Sequence, residues 1–154
     1  MNRNTKHATP SRSGVAGFSL IELMIVVAVI AVIASIGYPS YINSIVKTKR
    51  AAAEGCVSQY AGYMERFYTV NLRYDKDAEG EDNPVVGENP VLTLDCAGPQ
   101  NSEADYKFYV AAPTASTYTV TAKPRGAQRS RDTTCGALSI DQAGTKLPST
   151  NGCW

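Results

Sequence analysis

One carboxylate stands where a carboxylate is costly. Phe18 to Tyr38 reads F-S-L-I-E-L-M-I-V-V-A-V-I-A-V-I-A-S-I-G-Y, and Glu22 is the only charge in that run. An acid inside an apolar helix costs up to a few kcal/mol, and less near the helix end. Two roles fit it. The local one is a capping box, Ser19-x-x-Glu22, with Ser19 as N-cap and Glu22 at the third helical position, where the helix dipole also favours an acid. The other is a buried ion pair whose cation exists only after the chain is cut. Cleavage after Gly17 would free the α-amine of Phe18, and between staggered helices in a bundle that amine and Glu22 could neutralise one another. The residues leave both roles open.

Four cysteines, Cys56, Cys96, Cys135 and Cys153, form the second reactive group. All follow the apolar run and none forms a C-x-x-C pair. An even count at wide spacing fits disulfides in an exported domain better than zinc, which would want close ligand pairs or histidines. Three pairings are possible. The third group is basic: Lys123, Arg125, Arg129 and Arg131 lie within nine residues, with Tyr118 nearby. Cations near an aromatic ring can contact a nucleic-acid backbone, although the same residues would also make a solvated turn between strands. No enzyme is expected. The only histidine, His7, precedes the apolar run, so a Ser-His-Asp or Cys-His arrangement has no base once that segment is removed. Neither a phosphate-binding glycine loop nor a metal or cofactor motif occurs. The acids Asp75, Asp77, Glu79, Glu81 and Asp82 lack the D-x-D-x-D-G order of a calcium loop and read as a solvated loop.

The elements that would position these groups follow from charge and periodicity. The 154 residues suit one domain with a modest core, and the formal net charge of +1 makes no overall demand for nucleic acid or an acidic surface. Residues 1–17 carry Arg3, Lys6 and Arg12 and no acid; without them 12 Lys plus Arg face 14 Asp plus Glu. The apolar run is long enough to span a bilayer, and its basic flank places residues 1–17 in the cytoplasm with the remainder across the membrane. An ordinary signal peptide would be shorter and carry its small-residue cutting site after the run. Here Gly14 and Gly17 precede it, so a cut would leave the helix on the product.

Beyond Pro39, Ile42, Ile45, Val46, Ala53, Cys56, Val57, Tyr60, Met64 and Phe67 recur at helical spacing and predict one buried face, with Lys47, Lys49, Arg50, Glu54, Gln59, Glu65 and Arg66 mostly on the others. A helix from Leu20 to near Val70 would be roughly 75 Å long. Gly37 and Pro39 predict a kink or local melting over Gly37–Tyr41. Residues 71–104 predict a polar loop with at most a short strand near Val91–Leu94. Tyr106–Val110, Thr117–Thr121 and Gly136–Asp141 predict strands of an antiparallel sheet of three or four strands laid on the helix.

Gly17-Phe18-Ser19-Leu20-Ile21-Glu22-Leu23-Met24-Ile25-Val26-Val27, with Pro39 further along, resembles the processing motif of type IV prepilins. The stretch Thr114–Thr121, then Arg131-Asp132-Thr133-Thr134-Cys135-Gly136-Ala137-Leu138-Ser139-Ile140-Asp141-Gln142-Ala143-Gly144, then Cys153-Trp154, is similar to PilE-type minor pilins. Together these cover about half the chain. The resemblance implies an α+β pilin fold: a long N-terminal helix packed on a sheet, with a disulfide-closed C-terminal loop. It implies a leader, residues 1–17, removed by prepilin peptidase between Gly17 and Phe18, with Phe18 then N-methylated. It implies a hydrophobic helix over 18–45, transmembrane first and filament core later, in which Glu22 and Pro39 serve assembly, and a globular head over 46–154. The 17-residue leader is longer than is common in such pilins. Cys56–Cys96, tying helix to loop, and Cys135–Cys153, resembling the terminal loop of pilins, are the favoured pairings.

The implied partners are other pilin subunits, the prepilin peptidase, an inner-membrane assembly platform and the membrane itself before assembly. The implied role is a structural subunit, a minor pilin supporting pilus assembly, adhesion, twitching motility or DNA uptake. Two alternatives remain at this level. Pseudopilins of type II secretion systems share the N-terminal motif. The basic cluster would suit a DNA-binding competence pilin.

Overall fold

The computed structural model describes residues 17–154; of the predicted leader, 1–16 lie outside the described residues. The chain divides into two compact units, Met1–Ser40 and Tyr41–Trp154. In the first, helix α1 (Leu20–Asn71) begins, and every described side chain is exposed. That stretch is long and apolar enough to cross a membrane. Ser19 precedes the first helical residue, and its carbonyl accepts from the Leu23 N–H at 3.2 Å. No hydrogen bond joins the Ser19 and Glu22 side chains to that helix start among the described residues, so the capping box does not form. Nor does the helix melt near Pro39, since α1 is helical through Gly37–Tyr41. A proline removes one bond of the ladder, and the bonds on either side can carry the helix across.

The second unit holds all the buried residues among those described. Val46, Arg50, Ala53, Cys56, Val57, Tyr60 and Met64 form the buried stripe of α1, at steps of one, three and four residues. Ile42, Ile45 and Phe67 lie half-buried at its ends. Four strands, β1 (Tyr106–Ala111), β2 (Thr119–Pro124), β3 (Leu138–Asp141) and β4 (Lys146–Leu147), make an antiparallel sheet in chain order. Tyr106, Phe108 and Val110 of β1 and Val120 and Ala122 of β2 alternate with exposed or half-buried residues, as period-two strands with one buried face must. They pack with Leu138 into the core that includes Ala53, Cys56, Val57, Tyr60 and Met64 of α1, and the Tyr60 and Phe108 rings stack at 6.2 Å.

Residues 72–105 contain no strand. The expected one near Val91–Leu94 is replaced by exposed chain, with Val91 96% accessible, followed by a single 3-10 turn, Asp95–Ala97. Asn83, buried, organises the loop instead. Its side chain donates to the Tyr74 carbonyl at 2.9 Å and accepts from the Val85 N–H at 3.2 Å. Disulfides join Cys56 to Cys96, fastening the loop to α1, and Cys135 to Cys153, closing a ring around β3 and β4. In the chain-entropy picture a ring of that size stabilises by about 3 kcal/mol.

Candidate nucleic-acid interface

The basic cluster does not lie in a turn between strands. After Lys123 and Pro124 close β2, the chain forms a short helix, α2 (Gly126–Arg131), with Arg125 as its N-cap residue. Gly126 has φ +50°, a left-handed conformation that glycine adopts without strain and that lets the strand turn directly into the helix. Lys123, Arg125, Arg129 and Arg131 are all exposed, and none forms an ion pair among the described residues.

Two acids beside α2 are held by cations from α1. Asp105, whose carbonyl accepts from the Arg125 N–H at 2.8 Å, has its carboxylate held by Lys49 Nζ at 2.6 Å. Asp132, at the C-cap of α2, is held by Arg50. Two consecutive cations of α1, Lys49 and Arg50, thus hold Asp105 and Asp132, while Glu103, which lines the same cleft as Arg125, forms no ion pair with it. Lys123 faces Lys107 across the β1–β2 ladder, and like charges directly opposite are unfavourable. Lys107 is relieved by Glu88 at 3.2 Å, whereas Lys123 has no such partner. Arg125 also lines a cleft of about 840 Å³ with Asn89, Gln100, Glu103 and Lys107.

Tyr118 does not belong to this surface. It is buried, edge-on to Tyr74 at 4.7 Å, and its hydroxyl donates to Glu65 at 2.9 Å. Burial, reinforced by that carboxylate, pushes its phenol well up from the ordinary tyrosine range.

Beneath α2 lies a polar network that pattern reading missed. Arg50 Nε donates to Asp132 Oδ2 at 2.9 Å, its Nη2 donates to Oδ1, and its Nη1 reaches the Gly152 carbonyl at 2.9 Å. The Tyr106 hydroxyl donates to Asp132 Oδ2 at 3.1 Å. Gln128 Nε2 lies 3.1 Å from the Val46 carbonyl, 3.0 Å from the Tyr106 hydroxyl and 3.3 Å from Asp132 Oδ2. All four side chains are buried, and each is tied to the others by hydrogen bonds, as interior polar groups require. The hydrogen bond to Asp132 raises the Arg50 guanidinium above its ordinary value. Burial pushes the Tyr106 phenol up to about 12. By residue type Arg50 falls among the residues expected on the other faces, but its spacing, four residues after Val46 and three before Ala53, is the signal that puts it on the buried stripe.

At the N-terminal end the structure places Gly17 and Phe18 just ahead of α1 and Glu22 in its first turn, with Pro39 inside the helix. Phe18 is 84% exposed, and neighbouring α1 side chains from Leu20 to Ile36 are similarly bare. Single-chain packing gives this apolar surface nothing to bury against, so it must meet lipid or other chains.

An N-terminal apolar helix, a disulfide-tied antiparallel sheet and a closed C-terminal ring together define the type IV pilin class. The family described as type IV minor pilin ComP, DNA uptake sequence receptor, matches residues 39–139, and the prokaryotic N-terminal methylation motif matches residues 12–38. The first match spans well over half of the chain, which belongs to this minor pilin family. Among solved structures, a type IV pilin from Shewanella oneidensis matches at 24% identity and a TM-score of 0.49, over 71% of this chain and 97% of that one. No curated protein matches the chain. The protein is therefore a structural minor pilin, held in the membrane as a precursor and then carried in the extracellular pilus with other pilin subunits. Processing by a prepilin peptidase belongs to that class.

Proposed function

We propose that this minor pilin captures double-stranded DNA at the pilus surface through Lys123, Arg125, Arg129 and Arg131. The observation that carries the reading is the set of four exposed cations around α2, none of them in an ion pair among the described residues, with Asp105 and Asp132 held instead by Lys49 and Arg50. Such cations suit phosphates, and phosphate contacts supply affinity independent of sequence. The family description, a receptor for a DNA uptake sequence, supports the same reading. Asn89 and Gln100, in the cleft beside Arg125, carry amides of the type that pair with adenine edges, which suits them to sequence discrimination. The role is one of structure and binding, not catalysis.

The test is binding of the full chain in detergent to a labelled duplex across a salt series. If four phosphates are neutralised, log K should fall against log salt with a slope of about −3.6. Arg125→Ala/Arg129→Ala should weaken binding and flatten the slope. No measurable binding by the parent at low salt would remove the proposal.

The filament half of the role rests on the other unit. In this reading residues 1–17 are the leader, cut between Gly17 and Phe18. Phe18 becomes N-methylated, and the 18–45 helix passes from membrane to filament core through the assembly platform. Glu22 meets the amine of a neighbouring subunit, Pro39 marks the place where α1 adapts to filament packing, and 46–154 is the head. Intact mass and N-terminal sequence of protein from sheared filaments check this. A chain beginning at N-methyl-Phe18 is expected; one beginning near Tyr38, or retaining the leader, would overturn it.

A further inference from the structure

We propose that Gln128 and Asp132 are positioning residues for the DNA surface, fixing α2 on α1 and β1 so that Arg125, Arg129 and Arg131 are presented as one rigid array. The inference rests on the DNA-binding reading and goes beyond it, because neither residue is placed to touch DNA.

Only Gln128 of α2 is buried, and it is polar. A six-residue helix does not hold its shape alone, and α2 has no apolar side chain sunk in the core to hold it in place. Besides the Arg125 N–H bond to the Asp105 carbonyl at its start, what fixes it is hydrogen bonding at its middle and at its end. In the middle, the Gln128 amide shares its hydrogens among the Val46 carbonyl of α1, the Tyr106 hydroxyl of β1 and Asp132. At the end, Asp132 accepts from Arg50 of α1 and Tyr106 of β1. The exposed arginines, Arg125, Arg129 and Arg131, stand three, one and three residues from Gln128. Arg125 and Arg131, three residues to either side of Gln128, flank it along the helix, so their positions are set by the contacts that Gln128 and Asp132 make into the protein. A rigid array can meet several phosphates at once, and phosphate contacts fix the register on a duplex.

Charge and position make opposite predictions, which allows a decisive test. In the full chain in detergent, Gln128→Met keeps length and charge, while Asp132→Asn adds one unit of positive charge beneath the patch. If only charge mattered, the first would bind DNA like the parent and the second more tightly. If positioning matters, both bind more weakly, by roughly tenfold, with the salt slope reduced in size by about one to two, as when one or two of four phosphate contacts are lost. Amide hydrogen exchange supplies a readout that does not depend on DNA. Exchange over residues 126–131 should accelerate in both variants, while β2 keeps its protection and shows that the head remains folded. Parent-like affinity and slope in both variants, or unchanged protection of α2, would overturn the inference. A parent that does not bind DNA, with α2 protection responding as expected, would instead remove the DNA reading and leave α2 with a purely structural anchor.

Discussion

From Phe18 to Ser40 every side chain is exposed and apolar residues dominate; from Tyr41 onward the chain builds a core, two disulfides and a hydrogen-bonded polar network beneath α2. The same helix serves both units. The difference lies in what each unit needs from outside. The head satisfies its own polar groups almost completely, the Trp154 indole N–H being the exception among buried side chains described. The stalk's apolar side chains have nothing within the chain to bury against, so they need lipid or other chains. Changes in the stalk should therefore act on assembly and leave the head's folding alone, and changes in the head should do the reverse.

The largest expected effect is at Glu22. Glu22→Ala should reduce this subunit in sheared filaments to background, while the unfolding of the head, followed by tyrosine absorbance on the detergent-solubilised chain, stays as in the parent. Normal filament incorporation of Glu22→Ala would remove the ion-pair role. Next comes Arg50→Met, which leaves Asp132 buried without its cation. Breaking a buried pair from one side costs about 3–5 kcal/mol, and replacing both partners by apolar residues recovers much of it. Denaturant unfolding of Arg50→Met and of Arg50→Met/Asp132→Leu measures both. Equal stability in parent and single variant would mean that Arg50 does not anchor α2.

The sequence shows where hydrophobic periodicity speaks and where it is silent. The α1 stripe from Val46 to Met64, the strands on either side of Pro113, and Gly136–Asp141 were legible because apolar residues carry the period of their element. In α2, the sequence G-A-Q-R-S-R has no apolar period, and its one inward residue is an amide, so it read as a turn. Arg50 read as outward by type although its spacing placed it on the buried stripe. Tyr118 read as available to a ligand because nothing local shows that Glu65, fifty-three residues earlier, takes its hydroxyl. In each case a polar side chain is buried by a partner distant in sequence, and pairing at a distance is what a one-dimensional pattern does not contain. The basic residues themselves were legible, but their lack of acidic partners was not.

A smaller effect should appear in alkali. The Tyr106 phenol is held up to about 12 by burial, while in the unfolded chain it titrates near 10. The folded state thus keeps a proton that the unfolded state loses. Its stabilising contribution is complete below about pH 10 and disappears as pH rises toward 12, on the order of 3 kcal/mol in all. Tyr118, shifted in the same direction, adds to the fall. Unfolding measured from pH 8 upward should show the decline, and Tyr106→Phe should show less of it. A variant that declines as steeply as the parent would place the alkaline loss elsewhere.

The smallest expected effect sharpens the contrast within the head itself. Arg125→Ala/Arg129→Ala removes two exposed side chains that have no ionic partners, so the stability of the head should change by no more than about 0.5 kcal/mol. It should even rise slightly at low salt, because neighbouring cations around α2 repel one another and salt screens that repulsion. Stability therefore separates two kinds of basic residue lying close together in the fold. Arg50 is spent on holding α2, and its loss is felt at any salt concentration. Arg125 and Arg129 are held in reserve, and their loss is felt when a polyanion is present. A marked destabilisation of the double variant would mean that these arginines already have partners within the protein, and the case for a phosphate-binding surface would weaken with it.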